Sequence, residues 1–146
     1  MASGRRPPVR ASPTERATFL LTMLTNSNPI AFVATADAEA AVVFYRDVLG
    51  LTFVADDPFA VVFDLNGTAL RIAKVESVTP APQAVLGWEV DDIEATVRGL
   101  GEKGVKFERY AQLEQDDLGI WTSPGARVAW FKDPDGNTLS LTGPLT

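Results

Sequence analysis

The stretch Phe131–Leu141, "FKDPDGNTLSL", combines a turn and a strand, and its reading decides the fold. "DPDG" is turn chemistry, because Asp accepts hydrogen bonds from backbone amides just ahead of it and Gly enters conformations closed to other residues. After it, "NTLSL" alternates: Leu139 and Leu141 fall on one side of a strand, and Thr138, Ser140 and Thr142 on the other. "RVAWFK" (127–132) precedes the turn, so the unit is a hairpin. One face of this last strand is apolar, and the other carries a small hydroxyl at its centre.

Upstream of that hairpin, "VLGWEV" (85–90) reads as a strand. "DDIEATVRGLGEKG" (91–104) reads as a helix capped by Asp91 or Asp92, with Ile93, Val97 and Leu100 on one face, and "VKFERY" (105–110) as a further strand. The same order occurs earlier in the chain. "IAFVAT" (30–35) is a strand, and "DAEAAVVFYRDVLG" (37–50) is a helix with Asp37 as N-cap and Gly50 as its stop. "LTFVAD", "FAVVFDLN" and "ALRIAKV" are three strands, the last two joined at Asn66–Gly67. Asp37 matches Asp92, Gly50 matches Gly104 and Phe53 matches Phe107 at separations of 54 to 55 residues, which is the pattern of an internal duplication. The expected fold is α+β: two βαβββ modules, residues 29–76 and 84–143, in a domain spanning 29–146. They would form a curved mixed sheet around a cleft, with the helices on the outer face.

The strand parity gives that cleft a chemistry. Ala31, Val33, Leu70, Ile72, Leu86, Trp88, Val90, Leu139 and Leu141 fall under the helices. The opposite face receives Ile30, Phe32, Ala69, Arg71, Val85, Gly87, Glu89 and Ser140, consistently smaller or more polar. That suits a pocket better than a second dry core.

Composition excludes several classes. The chain has 146 residues, enough for one domain with a proper core, and it contains neither cysteine nor histidine. Disulfides, thiolate or imidazole metal sites, cysteine nucleophiles and the Ser-His-Asp triad are therefore unavailable. Residues 1–22 carry Arg5, Arg6, Arg10 and Arg16 against Glu15, a net charge of +3; with −6 for the whole chain, the rest carries a net −9. Such an acidic body does not form a nucleic-acid groove. No apolar run approaches the roughly 20 residues of a membrane span, so a cytoplasmic protein is expected. The arginine- and proline-rich start lacks the hydrophobic region and cleavage site of a secretory signal, and residues 1–28 read as a flexible extension carrying a short helix over about 14–24. Translation from Met23 is an alternative reading of that extension.

Three motifs in order, "FYRDVLGL" (44–51), "EVDDIEATVRGLGEKGV" (89–105) and "WFKDPDGNTLSL" (130–141), resemble the vicinal oxygen chelate superfamily over roughly residues 29–143. That superfamily includes glyoxalase I, extradiol dioxygenases, fosfomycin resistance enzymes and bleomycin resistance proteins. The resemblance implies paired βαβββ modules, a cleft and a homodimer. In its metal-dependent members, His, Glu or Gln ligands stand on the first and last strands of each module. The matching slots here are Ile30, Arg71, Val85 and Ser140. Two are aliphatic, one is a cation and one a lone hydroxyl, so the resemblance carries no metal chemistry across and no cofactor is expected.

The site expectation is accordingly a metal-independent pocket for a small organic molecule. Arg71 is a fork-shaped donor for a ligand carboxylate or phosphate, unless it pairs internally, for example with Glu89. Phe32, Trp121 and Trp130 supply aromatic walls, while Tyr110, Glu114 and Gln115 lie in a long segment placed like a lid. Ser140 lines the wall, with no histidine to make it a nucleophile. Glu89 is the candidate base for the alternative reading, a glyoxalase- or dioxygenase-like enzyme (lyase, isomerase or oxygenase) that uses a cleft carboxylate or a metal on non-standard oxygen ligands. "EQDD" (114–117) reads as a charged rim rather than a cation site, and "DPDGN" lacks the twelfth-position Glu of a calcium loop.

Overall fold

In the computed structural model, which describes residues 10–146, the strands form two four-stranded sheets. The first module contains β1 (Ile30–Thr35), α2 (Ala38–Val42), a π-helix (Val43–Val48), β2 (Thr52–Asp56), β3 (Ala60–Leu65) and β4 (Thr68–Lys74). The second contains β5 (Leu86–Glu89), α3 (Ile93–Glu102), β6 (Trp121–Thr122), β7 (Arg127–Lys132) and β8 (Thr138–Gly143). Strand orders are β1-β4-β3-β2 and β5-β8-β7-β6, with the first strand of each module parallel to its last and the remaining pairs antiparallel. The two βαβββ units of an α+β fold are thus present, with matching topology. Ahead of them lies α1 (Pro13–Leu21).

Local chemistry sets the element ends. Asp37 accepts from the Ala40 amide at 3.1 Å and Asp92 from the Ala95 amide at 3.0 Å, so each module opens its helix with an aspartate cap. Gly50 and Gly104 end the two helical segments with φ of +76° and +94°, the left-handed conformation that favours glycine. The β3–β4 hairpin turns through Asn66 and Gly67, both at positive φ.

Two expectations are corrected. The first helix is α-helical only to Val42 and continues as a π-helix, in which the Leu49 amide bonds to the Phe44 carbonyl. The segment 105–110 is not a strand: Phe107 makes one bridge to Phe131, and Glu108 donates one amide bond to Trp130. Two of its backbone groups bond instead to the Gln115 side chain, which accepts from the Tyr110 amide at 2.7 Å and donates to the Glu108 carbonyl at 2.9 Å, and also to the Gly119 carbonyl at 2.8 Å. A side chain here does the work of a neighbouring strand.

The core joins both modules through their helix-facing sides. Tyr45, Val61, Phe63, Leu70 and Ile72 from the first cluster with Ile93, Val97, Phe131, Leu139 and Leu141 from the second. Phe44 lies 6.4 Å from Phe131, centroid to centroid, and Trp88 stacks on Phe131 at the same distance. The "DPDGN" turn ties the modules together. Asp133, only 6% exposed, accepts from the Tyr45 hydroxyl at 2.7 Å, from the Asn137 side chain at 2.9 Å, and from the Asp135 and Asn137 amides. Asn137 also donates to the Ala34 carbonyl, and Asp135 accepts from the Ala36 amide. Burial, with the Asp133 charge next, pushes the Tyr45 phenol far above its ordinary range, so it remains a donor.

Candidate functional site

The face of each sheet opposite the helices is where the strand parity places the candidate residues. In the first sheet Phe32 pairs with Arg71, and Arg71 with Val62, so these three share one row across β1, β4 and β3. Ile30 stands one row away beside Ala69. In one chain this face is open: Ile30 is 52% and Phe32 61% exposed, whereas Leu70 and Ile72 on the other side are fully buried.

Arg71 pairs with Asp57 rather than with Glu89. Its Nη2 donates to Asp57 Oδ2 at 3.2 Å. Asp57 is itself fixed by the β2–β3 turn, accepting the Phe59 and Ala60 amides at 2.7 and 2.8 Å. Those two amide bonds, assisted by Arg71, hold its carboxyl below the usual carboxylate range. The guanidinium is thus steered by one nitrogen, and its other N–H groups make no hydrogen bond within the described residues. Asp57 escaped the sequence reading because it lies in a turn, 14 residues from the arginine it orients.

In the second sheet, Ser140 pairs with Gly87 on one side and Trp130 on the other. A Cβ on Gly87 would stand 2.4 Å from Ser140 Oγ, so the glycine supplies the space that the serine hydroxyl fills. The signal for this was a glycine in the middle of "VLGWEV". The next row holds Glu89, Thr142, Val128 and Trp121. Trp121 and Trp130 lie 6.1 Å apart with rings tilted by 32°, and Tyr110 meets Trp130 edge-on at 5.4 Å. Two of the aromatics expected at the wall, Trp121 and Trp130, are thus brought together beside Ser140 and joined by Tyr110 from the expected lid, whereas the third, Phe32, stands on the first sheet. Among the described residues, the Ser140 hydroxyl, the Tyr110 hydroxyl and both indole N–H groups make no hydrogen bond, leaving donors at the edge of an aromatic surface. Burial, and then the Glu108 charge, raises the Tyr110 pKa, so at neutral pH it is a protonated donor.

Glu114 is exposed and lines, with Gln112, Asp116, Ile120, Trp121 and Thr122, a groove of about 550 Å³ that runs up to this aromatic group. Glu89 is exposed, with no hydrogen-bond partner among the described residues. The four slots at which the metal-dependent fold places ligands hold Ile30, Arg71, Val85 and Ser140. Each module repeats the same offset, since Ile30 pairs two residues before Arg71 and Val85 bonds to Thr138, two before Ser140. Two hydrocarbon side chains, a cation and a hydroxyl do not fit a divalent ion. No cluster of three or more His, Cys, Asp or Glu able to hold a metal occurs among the described residues.

Fold, duplicated frame and motifs converge with what is known of other proteins. The family model of the Glyoxalase/Bleomycin resistance protein/Dioxygenase superfamily matches residues 27–141, and the chain belongs to that superfamily. Its structure is similar to that of TnmS3, an antibiotic binding protein from Streptomyces sp. CB03234, with a TM-score of 0.63 and 26% identity, covering 82% of this chain and 98% of that one. A glyoxalase/bleomycin resistance protein from the same organism is 28% identical at a TM-score of 0.61, covering 80% and 99%. The uncharacterized protein YraH of Bacillus subtilis (strain 168) is 28% identical over 120 residues, 72% of this chain and 88% of its own. No helix of the described residues is long and apolar enough to cross a membrane.

Proposed function

We propose that this chain is a binding protein for a small, flat organic anion, held without a metal ion between the aromatic group Tyr110–Trp121–Trp130 and the Arg71 guanidinium. The observation that carries this reading is a set of slots with no competent metal ligand beside an aromatic group whose rim carries unpaired donors. An aromatic face offers area at low entropic cost, and indole, phenol and serine donors at its rim orient a ligand's acceptors. Arg71, steered by Asp57, adds a bidentate group for a carboxylate, phosphate or phenolate. The likeness to an antibiotic binding protein at 26% identity supports binding as the activity.

The open faces also support a homodimer. Ile30 and Phe32, on adjacent rows of one face, are both exposed, and a second copy packed against them would close the pocket over its ligand. An acidic body free of basic clusters supports a protein that acts apart from nucleic acid.

Thermal denaturation tests the reading. Aromatic carboxylates such as 2-naphthoate should raise the Tm of the wild type and not of Arg71→Ala, while Zn²⁺, Mn²⁺ or Fe²⁺ leave it unchanged. Stabilisation by a divalent ion that is abolished by changing an open-face residue would reverse the metal-free assignment. A second reading, an enzyme, draws on Glu89 sharing a strand row with Trp121. Turnover of a bound aromatic acid that disappears in Glu89→Gln would favour it.

A further inference from the structure

The N-terminal arm is built as a helix but finds nothing to cover in its own chain. Ser12 caps α1 by accepting the Glu15 amide, and Glu15 returns the bond to the Ser12 amide, a full capping box with Pro13 in the first turn. This is a deliberate helix start. Yet no residue of α1 is buried. Phe19 is 62% exposed, Leu21 86% and Leu24 81%, with Leu20 and Met23 also open to solvent. Five large apolar side chains within six residues form a patch of the kind that marks an interaction surface.

Three further observations identify the occupant. The arm lies outside the superfamily match, which starts at residue 27, and the two Streptomyces neighbours are covered almost end to end by 80–82% of this chain. The arm is therefore an addition to a frame that is complete without it. It is rooted at the open face: only residues 22–29 separate α1 from β1, whose Ile30 and Phe32 are the exposed residues of that face. Fully extended, eight residues span at most about 28 Å, so α1 stays within that reach of this face. Its charge is complementary to the rest, with a net charge of +3 in residues 1–22 against a net −9 in the remainder. An anionic membrane would attract the arm but repel the body. A second copy of this chain presents both an apolar face and an acidic surface.

We infer that α1 and the turn after it form a clasp that packs Phe19, Leu20, Leu21 and Leu24 against a second copy of this chain, at the margin of the open β1 face. The inference rests on the dimer reading above and adds to it a specific arm that strengthens the association. In a two-fold pair each arm grips the other copy, so both contacts are gained or lost together.

Sedimentation analysis over a concentration series tests this with three proteins: the full chain, a chain beginning at Met23, and the full-length Phe19→Ser/Leu20→Ser variant. No residue of α1 enters the core, so both variants retain the folded domain, checked by an unchanged Tm of the monomeric species. The full chain should be dimeric with a Kd at least tenfold lower than that of either variant, and raising salt from 50 to 500 mM should narrow the gap. Equal dimerisation constants for all three would overturn the clasp while leaving the dimer reading intact. A full chain that stays monomeric would overturn both. Binding to phosphatidylglycerol vesicles that is lost in Phe19→Ser/Leu20→Ser, with dimerisation unchanged, would assign the arm to a membrane and reject the clasp.

Discussion

The two modules share strand order, aspartate cap, glycine stop and slot offset, yet their open faces have diverged in opposite directions. The first presents Phe32 and a cation, with the cation steered by a turn carboxylate outside the row. The second presents a glycine notch filled by a serine hydroxyl, walled by two tryptophans and a tyrosine. The helix-facing sides, by contrast, are both aliphatic and aromatic and merge into one core. Duplication thus preserved what the fold needs and left free what faces away from it. The face that packing leaves unconstrained is where chemistry differs, and there the two halves are complementary: one offers charge, the other flat surface and neutral donors.

The comparison can be broken first at what the modules share. Asp133→Ala would strand the Tyr45 hydroxyl and the Asp135 and Asn137 amides, leave the Asn137 side chain only its Ala34 bond, and should lower stability by about 3 kcal/mol, read from urea denaturation. Tyr45→Phe, which leaves Asp133 three partners, should cost only about 1 to 2 kcal/mol. The second break is at the notch. Gly87→Ala forces a Cβ towards Ser140 Oγ and should destabilise by about 1 to 2 kcal/mol. Adding Ser140→Ala removes the clashing oxygen, so the double variant should recover most of the loss; additive losses would show that the two positions are independent.

A smaller effect separates the faces by pH. Because the Asp57 carboxyl is held below its ordinary range, its contribution to stability is present above the unfolded-state pKa and is lost as pH falls through the lowered, folded-state value. Asp57→Asn should therefore lower stability at neutral pH, match the wild type at low pH, and so flatten the acid limb of the profile below about pH 4. Binding of an anionic ligand through Arg71 should survive this substitution with a modest loss, since the arginine keeps its charge and loses only its steering. An unchanged acid limb would show that the turn amides and Arg71 do not hold the Asp57 carboxyl below its ordinary range.

Much of this architecture was legible in the chain. The aspartate caps, the glycine stops, the Asn66–Gly67 turn and the strand parity are local, period-governed signals, and each sits where spacing placed it. What escaped depends on distance. The segment 105–110 has the composition of a strand, but the Gln115 side chain takes over two of its hydrogen bonds, and nothing within the segment announces that. Arg71 could be placed on its face but not paired, because Asp57 is brought to it only by the β2–β3 turn. "DPDGN" reads locally as a turn, and its role in bolting the modules together through Tyr45, Ala34 and Ala36 is visible only in three dimensions. The aromatic trio was foreseeable as residue types, and its unpaired donors were not.

The central claim is that the charge of one module and the aromatic wall of the other serve a single organic anion. Quenching of tryptophan fluorescence by 2-naphthoate, with 2-naphthamide as the neutral control, measures this in the wild type, Arg71→Ala and Trp130→Leu. The account predicts that the wild type prefers the carboxylate, that Arg71→Ala loses that preference with at least a tenfold rise in Kd, and that Trp130→Leu weakens both compounds alike. Equal affinity for the two compounds in the wild type, unchanged in Arg71→Ala, would contradict it.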